Sequence, residues 1–405
     1  MEFVINQKTL VNALKVIAPA VYKKGPLEVL RCVHIEASGQ TVQFKATNLN
    51  LTLTITEKVA DLLEWGRVCI NHKDLLDLVS KLPKGADIRF KDGGNSAEVV
   101  LTTGSIRRPL SSLPSEEFPH SPFTGNPFQS FDQGNQGTLH RALERVLPCV
   151  ARSDESRAIM QGVLFQSGPS GAKISATDGR RAMRLAFASG SRENWPAVIP
   201  GKALQVLAKL LKDPKQCDQA CSIRYNEGQA WCRVVTGPGS SVKWQVRCLE
   251  GVFPDLDRVY PKSFTRSWAF DSRDLVGPIE RAMAGNTDKL CPNQVIFNKV
   301  FDAQGKGWVQ VSGEDEKVFE SLSTNYEWDG EPLRFSLNGE YLLELFKSPV
   351  GQMLQLNIQD EKRSMVIHSR DSSADWQFVI MPVKLREVSE AEKVAMEKQW
   401  ANYGK

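Results

Sequence analysis

One short helical pattern occurs three times along this chain, and that repetition restricts the possible folds more than any other feature. The three segments begin at Ile70, Ile199 and Leu337, and they read INHKDLLDLVSKLP, IPGKALQVLAKLLK and LNGEYLLELFKSPV. In each segment apolar residues recur every three or four positions after a polar start, which predicts an amphipathic helix. A chain that encodes one helix three times is expected to contain three copies of a larger unit.

Other features recur at nearly the same displacement, so the repeat extends beyond one helix. The pattern TLxxALxxxxP begins at Thr9 and again at Thr138, 129 residues later, and the helix at Ile70 recurs at Ile199 with the same displacement. Two residue pairs also recur, namely Ala46-Thr47 as Ala176-Thr177 and Phe118-Pro119 as Phe253-Pro254. Chance resemblance of single helices would not keep this order and spacing.

The third copy is weaker, but its parts follow in the same order. DLVGPIERAMA begins at Asp274 and corresponds to the helix near Thr138, and LNGEYLLELF follows it. Pro278 lies inside the first of these segments, and a proline is tolerated in a helix mainly in the opening turn. Pro278 is therefore expected to belong to the opening turn.

Each copy has the same predicted plan. A short strand, such as FVIN or WAFD, leads into an amphipathic helix; alternating strands, a second helix and further strands follow. Strand segments outnumber helices, and turn residues separate them. The fold class is therefore α+β, with three similar domains that each combine a strand-rich face with two helices. A unit of ~120 residues can bury a core of its own.

The repeat and the composition of the connecting segments predict the domain boundaries. The segment 120–137, HSPFTGNPFQSFDQGNQG, is rich in Pro, Gly, Ser and Asn and is typical of a linker. At the carboxyl end, Ser389 and Glu392 form a capping box before apolar residues at helical spacing. The predicted parts are domain 1 at 1–120, a linker at 121–137, domain 2 at 138–258, domain 3 at 259–385 and an amphipathic helical extension at 386–405.

Composition excludes several other classes of protein. With 405 residues, 41% hydrophobic and 24% charged, the chain fits a folded protein of two to four domains. No run approaches 18 apolar residues and MEFVINQKTL is not a signal peptide, so we expect a cytoplasmic protein with no membrane contact. The eight cysteines and five histidines have no metal-ligand spacing, so we expect no metal and no cofactor.

Basic residues on the predicted helices suggest a surface for nucleic acid. The net charge is +4, which is compatible with nucleic acid but does not establish it, because solvated helix faces carry similar charges. Three like units can place such helices on one concave side, where phosphate contacts add up without reading sequence. The candidate DNA contacts are Lys23, Lys24, Lys73, Lys81, Arg141, Arg145, Lys202, Lys209 and Arg281.

Three segments carry a resemblance to a known family. SATDGRRAM (175–183), LEGVFPDLDRVYP (249–261) and FVIMPVKL (378–385), together with the triplication, resemble the bacterial DNA sliding clamp, the beta subunit of DNA polymerase III. The resemblance covers residues 1–385. It implies two chains arranged head to tail in a six-domain ring, with helices inside, sheets outside and duplex DNA through the hole. For DNA contact it points to Lys24 and Lys73 in particular.

The resemblance also implies a function without catalysis. Clamps of this family tether replicative polymerase to DNA and confer processivity, and the clamp loader and repair proteins are further partners. These partners insert short peptides with apolar anchors into a pocket between the second and third domains. Position by position, the pocket residues implied here are Arg157, Met160, Thr177, Gly179, Arg180, Arg181, Ala182, Pro254, Arg258, Val259, Met365, Val379, Met381, Pro382 and Val383.

The chain departs from the family pattern in two places. After TDG the family usually has His and Leu, whereas this chain has Arg180 and Ala182, so the pocket is expected to prefer bulkier or differently charged peptides. The implied dimer interface comprises Arg108, Leu110, Ala284 and Gly285, with Pro109 beside the first pair. Because these residues offer little apolar contact, the dimer is expected to be weaker or held by charge pairs.

Two alternative functions remain open from sequence. A nucleic-acid enzyme with a basic cleft would need clustered carboxylates or an activated nucleophile, and Asp178 and Asp255 have no second acidic partner at a suitable spacing. A clamp-like regulatory or mobile-element paralogue would also fit the altered pocket. In that case the extension 386–405 would fold over the pocket, whereas a plainer interpretation docks it on its own third domain.

Overall fold

The computed structural model describes most of the chain, and by density of contacts it divides into two compact units. The first unit contains 1–143, 164–172 and 188–251, and the second contains 144–163, 173–187 and 252–405. Lys24 and the predicted extension 386–405 lie outside the described residues. The described residues are 1–23, 27–59, 61–92, 97–119, 129–152, 157–187, 194–286, 291–301, 307–313, 319–323, 328–370 and 376–385.

The six predicted helices are all present. They are α1 (Gln7–Ile17), α2 (His72–Lys81), α3 (Gln136–Val146), α4 (Gly201–Leu210), α5 (Ser272–Ala284) and α6 (Gly339–Lys347). Asn71 shows why they begin where they do: its side chain accepts hydrogen bonds from the amides of Lys73 and Asp74. Four other helices have an Asn or Asp cap of the same kind, namely Asn6, Asn135, Asp271 and Asn338.

Antiparallel strands make up the rest of the regular structure. In the first half they are β1 (Glu2–Asn6), β2 (Cys32–Ser38), β3 (Thr41–Thr47), β4 (Leu51–Lys58), β5 (Asp61–Glu64), β6 (Gly66–Asn71), β7 (Asp87–Asp92), β8 (Glu98–Thr103), β9 (Ile106–Leu113), β10 (Gln129–Asn135), β11 (Gly162–Gly168), β12 (Gly171–Thr177) and β13 (Arg181–Phe187). In the second half they are β14 (Trp195–Pro200), β15 (Ala220–Asn226), β16 (Gln229–Gly237), β17 (Ser240–Arg247), β18 (Arg266–Asp271), β19 (Gln294–Phe301), β20 (Gly307–Ser312), β21 (Phe319–Ser323), β22 (Trp328–Asp329), β23 (Arg334–Asn338), β24 (Met353–Ile358), β25 (Met365–Ser369) and β26 (Trp376–Ile380).

The first unit is built on one sheet of thirteen strands in the order β10-β15-β16-β17-β4-β3-β2-β6-β9-β8-β7-β1-β5. The sheet passes from the first copy to the second where β4 pairs with β17, with Thr54 opposite Lys243 and Thr52 opposite Gln245. Alternation places one face of each strand in the core, as at Phe44, which is fully buried. Helix α1 packs on β3 and β4 and on α2, so its apolar stripe is covered.

The second unit contains two sheet segments. In one, β13, β26, β25, β24, β18 and β22 follow one another, and the other has the order β21-β20-β19-β23. Helix α5 packs on β18, β19 and β20 and on α6. Trp268 lies in this core and contacts the rings of Phe270 and Phe297 at centroid distances of 4.8 and 5.9 Å. The strand-rich faces and helix pairs confirm the predicted α+β class.

Two expectations from the sequence were wrong. Helix α5 begins at Ser272 and continues through Pro278, so this proline lies in the helix interior. Two features make this proline acceptable. Its ring is buried, which offsets the lost helix hydrogen bond, and the preceding Gly277 has no Cβ to collide with the ring. The proposed linker 121–137 contains β10, whose backbone gains hydrogen bonds from β15 although its sequence, QSFDQGN, is mostly polar. The other boundaries stay predictions.

Candidate functional site

A tight turn between β12 and β13 forms the centre of the predicted pocket. The hydroxyl of Thr177 donates to the carbonyl of Arg181 at 2.7 Å and accepts the amide of Gly179 at 3.0 Å. Asp178 accepts the amides of Arg180 and Arg181 at 2.9 and 3.0 Å. Gly179 has a φ of +87°, a conformation that favours glycine. The sequence TDGRR therefore specifies this turn residue by residue.

Arg181 is a buried cation that ties this turn to α6. Its side chain is 4% exposed, and its Nε donates to Asp178 at 3.0 Å. Its Nη1 lies 2.7 Å from Glu344, and its Nη2 donates to the carbonyl of Pro148 at 2.6 Å. The guanidinium also lies 4.0 Å from the ring centre of Tyr341. Arg181 is thus a structural support of the turn, held by contacts to Asp178, Glu344 and Tyr341.

The charges around Arg181 stabilise one another. Burial lowers the pKa of Arg181, but Cys149, Glu344 and Asp178 raise it more, so its pKa lies above the ordinary value and it stays charged. Burial raises the pKa of Glu344, whereas hydrogen bonds from Arg152 and Arg181 lower it to a net value below the ordinary one. The ion pair of Arg152 with Glu344 is more exposed, since the Arg152 side chain is 67% accessible.

An apolar cluster lies beneath the surface next to the turn. Ala182, Leu256, Val366 and Val379 are buried together, and Phe253 and Tyr260 pack against them. The pairing of β13 with β26 places Ala182 directly opposite Val379. Ala182, Val379 and Met365 are 2%, 2% and 0% exposed. Ala182 and Val379 therefore belong to the floor beneath the surface, whereas Met365, which pairs with Ile380, is buried on the other face of the sheet.

Tyr260 covers this floor. Its ring packs on the cluster, and its hydroxyl donates to the carbonyl of Gln377 at 3.3 Å. The guanidinium of Arg184 lies 4.2 Å from the ring centre and 2.6 Å from Asp257, so the ring is held from its other face. Burial raises the pKa of Tyr260 above its usual range, so it remains a neutral donor. Tyr260 and Phe253 thus cover a cluster that includes the small Ala182.

Other predicted pocket residues reach the surface. Val259 and Met381 are 40% and 41% exposed. The amide of Met381 donates to the carbonyl of Arg180 at 2.9 Å, which attaches the segment after β26 to the turn. Met160, Pro254, Pro382 and Val383 are half-buried, and Arg157, Gly179, Arg180 and Arg258 are exposed. The accessible apolar residues of the predicted pocket, Val259 and Met381, are called the apolar patch below; the exposed arginines of the same set are Arg157, Arg180 and Arg258.

Sequence reasoning missed several residues of this region. Leu256, Val366 and Tyr260 belong to the floor and its cover, and Tyr341 and Glu344 hold Arg181. One signal was present: Tyr341 and Glu344 are three positions apart in LNGEYLLELF, which places them on one side of α6. No local signal marked their distant partner.

The basic residues proposed to contact DNA have differing environments. Arg145 is partly buried, and its Nε donates to the carbonyl of Pro349 at 2.6 Å, which limits its availability to phosphate. The described candidates with exposed side chains are Lys23, Lys73, Lys81, Arg141, Lys202, Lys209 and Arg281.

The described residues contain no group of three His, Cys, Asp or Glu that could hold a metal ion. They also contain no helix long and apolar enough to cross a membrane.

The residues predicted at the dimer interface lie at two surface positions. Within the described pairings, residues 106–111 of β9 pair with β8 alone, so Arg108 and Leu110 lie on a strand segment with one open edge. Pro109 is opposite Val100, and its missing N–H is tolerated at such an edge. Ala284 and Gly285 end α5 and are exposed.

Comparisons with known proteins agree over most of the chain. Residues 1–122 match the family described as DNA polymerase III beta subunit, N-terminal domain. A "Beta sliding clamp" of Pseudomonas putida is 26% identical over 391 residues, which covers 95% of this chain and 100% of the relative. A crystal structure of DNA polymerase III subunit beta from Pseudomonas aeruginosa superposes with a TM-score of 0.82 at 23% identity and the same coverage. A sliding clamp of that species bound to griselimycin has a TM-score of 0.82 at 22% identity and also covers 95% of this chain and 100% of its own.

Proposed function

Because the chain belongs to the family of bacterial beta sliding clamps, we propose that it is a DNA sliding clamp that encircles duplex DNA and tethers replicative polymerase. The observation that carries this proposal is the match of the chain to a beta sliding clamp over that protein's full length. The repeated helix-and-sheet units of the fold agree with it. The regulatory or mobile-element alternative is not favoured, because the relatives are named beta sliding clamps.

Encirclement requires two chains, and the structure offers surfaces for the join. The open edge of β9 with Arg108 and Leu110 would pair with the end of α5, near Ala284 and Gly285, in a head-to-tail homodimer. Such pairing covers an unpaired strand edge, which would otherwise promote aggregation. Exposed lysines on α2 and α4, such as Lys73 and Lys209, would contact phosphates of the duplex without reading sequence.

The partner pocket is proposed at the apolar patch beside the Thr177 turn. Met381 and Val259 supply accessible apolar surface above a packed floor, which suits apolar anchors of a peptide. Arg157 and Arg180 at the margin favour peptides that also carry an acidic residue. The complex of a related clamp with griselimycin supports a ligand site on this fold.

The remaining parts of the proposal concern partners and location. Polymerase subunits, the clamp loader and repair proteins would compete for the one pocket, and tethering would raise their local concentration at the template. The protein would act in the cytoplasm as a processivity factor, without catalytic residues of its own.

A peptide-binding and primer-extension experiment tests the pocket and the function together. Met381→Glu places a charge on the apolar patch, and its matched control is Leu63→Glu, an exposed apolar residue of β5 that is 58% accessible. Because burying a methionine contributes about 1.5–3 kcal/mol, Met381→Glu should weaken a clamp-binding peptide by about tenfold or more. It should also abolish the extra product length that the clamp gives polymerase on primed circular DNA. Equal behaviour of the two variants would contradict the pocket assignment.

A further inference from the structure

The first unit contains a second turn with the same hydrogen bonds as the turn at Thr177. The hydroxyl of Thr47 donates to the carbonyl of Leu51 at 3.4 Å and accepts the amide of Leu49 at 3.1 Å. Asn48 accepts the amides of Asn50 and Leu51 at 3.1 and 2.8 Å, as Asp178 does for its own two neighbours. The turn between β3 and β4 is therefore the counterpart of the turn between β12 and β13.

The strands behind the two turns also correspond. In the first unit, Thr52 of β4 is opposite Gln245 of β17. In the second unit, the corresponding pair is Ala182 of β13 opposite Val379 of β26. The pair of Thr54 with Lys243 likewise corresponds to that of Arg184 with Gln377. Phe118 of the repeated Phe-Pro pair lines the first site, and its counterpart Phe253 packs against the apolar cluster of the second. The first unit therefore has a position that corresponds to the apolar floor of the second unit, but polar residues occupy it.

At this place the first unit has a cavity of 230 Å³. That volume is below the range of about 300–1,000 Å³ typical of sites for drug-sized ligands, so it suits a small group or one side chain. Its lining includes the cations Lys45, Lys243 and Arg67, the polar residues His34 and Gln245, and the carboxylate of Glu36. Where the second unit offers an apolar surface, the first offers a mostly cationic one.

Two lysines of this cavity stand on one face of the sheet with a single strand between them. Lys45 and Lys243 are both opposite Thr54, so with strands about 4.8 Å apart their Cα atoms are about 10 Å apart. Burial lowers the pKa of Lys45, as does the charge of Lys243, while Glu36 raises it; burial also lowers the pKa of Lys243. The ammonium of Lys45 lies 5.5 Å from the ring centre of Phe118.

The balance of charge in the cavity favours an anion. Arg67 is 3.3 Å from Glu116, so its charge is shared with that carboxylate outside the lining. Glu36 is the carboxylate of the lining and interacts with Lys45, whereas the lining contains three cations. An anion between Lys45 and Lys243 would offset their mutual repulsion and offer oxygen acceptors to both ammonium groups.

We propose that this cavity is a second ligand site, separate from the peptide pocket, which binds a small oxyanion between Lys45 and Lys243. The bound group is a phosphate or a carboxylate. It would come either from free phosphate or from an acidic side chain of a protein partner, and both present the same oxygen acceptors to the two lysines. A partner that used both sites would bind the clamp at two points, which raises its overall affinity.

Calorimetric titration with two probes tests this assignment. Inorganic phosphate and a tetraglutamate peptide are each titrated into the unmodified full chain and into the variants Lys45→Gln, Lys243→Gln and the double variant. The matched control is Lys362→Gln, because the side chain of Lys362 is 85% exposed. The site predicts binding of at least one probe, with affinity about tenfold lower in each single variant and unchanged in the control. Phosphate binding identifies free phosphate as the source, and binding of tetraglutamate alone identifies an acidic side chain.

Two results would overturn the proposal. One is that neither probe binds the unmodified chain, and the other is that the Lys45 and Lys243 variants bind as tightly as the control. Lysine side-chain NMR of the unmodified chain provides a readout that does not depend on how the variants fold. The bound probe should move the resonances of Lys45 and Lys243 and leave those of Lys362 in place.

Discussion

Replacing Arg181 by methionine is the most informative perturbation of the pocket. The change keeps much of the buried side-chain volume but removes the cation that contacts Asp178, Glu344, the carbonyl of Pro148 and the ring of Tyr341. Removing one partner of a buried ion pair costs about 3–5 kcal/mol, because the other partner is left without compensation. Glu344 keeps its contact with Arg152, which argues for the lower end, about 3 kcal/mol.

Arg152→Met is the matched control, because Arg152 contacts the same carboxylate from a side chain that is 67% exposed. An exposed ion pair contributes about 0–1 kcal/mol, so the control should be nearly neutral. Hydrogen exchange of the amides in β13 and α6 measures the free energy of opening where the two arginines act. Arg181→Met should lower that free energy by about 3 kcal/mol. If the two variants differ by less than about 1 kcal/mol, the buried arginine does not hold the turn to α6.

Three further predictions concern the same molecule. The pKa of Glu344 is lowered in the folded state, so its contribution to stability is present above its unfolded value of 4.5 and is lost as pH falls through the folded pKa. In urea unfolding measured against pH, the free energy of unfolding of Glu344→Gln should therefore fall less at acid pH than that of the unmodified chain. Ala182→Leu should destabilise the chain by about 1–3 kcal/mol and weaken peptide binding, because the added carbons displace Tyr260; unchanged unfolding and peptide titrations would contradict this. Of the eight thiols, the partly exposed Cys217 and Cys291 should react with a thiol reagent in the native state, and the six buried ones only after unfolding.

Local signals were sufficient to predict the helices from sequence. An Asn or Asp before an apolar stripe marks the start of five helices, and the repeat itself supports α4, which begins after Pro200 and has no side-chain cap. Pro278 and β10 show the limit of local rules. Pro278 is accepted inside α5 because its ring is buried and Gly277 precedes it. The polar segment of β10 forms a strand because it pairs with β15.

Within the candidate site, the turn could be predicted from a contiguous motif, whereas the distant contacts around it could not. The order Thr177–Ala182 followed by Met381 gave the turn and the strand segment that lies beside it. The burial of Ala182 under Tyr260 depends on packing between segments far apart in the chain, and so do the partners of Arg181. No periodicity or spacing in the sequence relates such segments, so the buried residues Ala182 and Val379 were predicted to line the surface of a pocket.

Retention on circular DNA tests the central claim most directly. The protein is placed on a nicked DNA circle by a clamp loader, separated from free protein at high salt, and then followed before and after the circle is cut once. An encircling clamp stays on the circle when salt screens phosphate contacts and leaves when the DNA becomes linear. Loss from the intact circle at high salt, or equal retention on circular and linear DNA, would contradict the account of a sliding clamp.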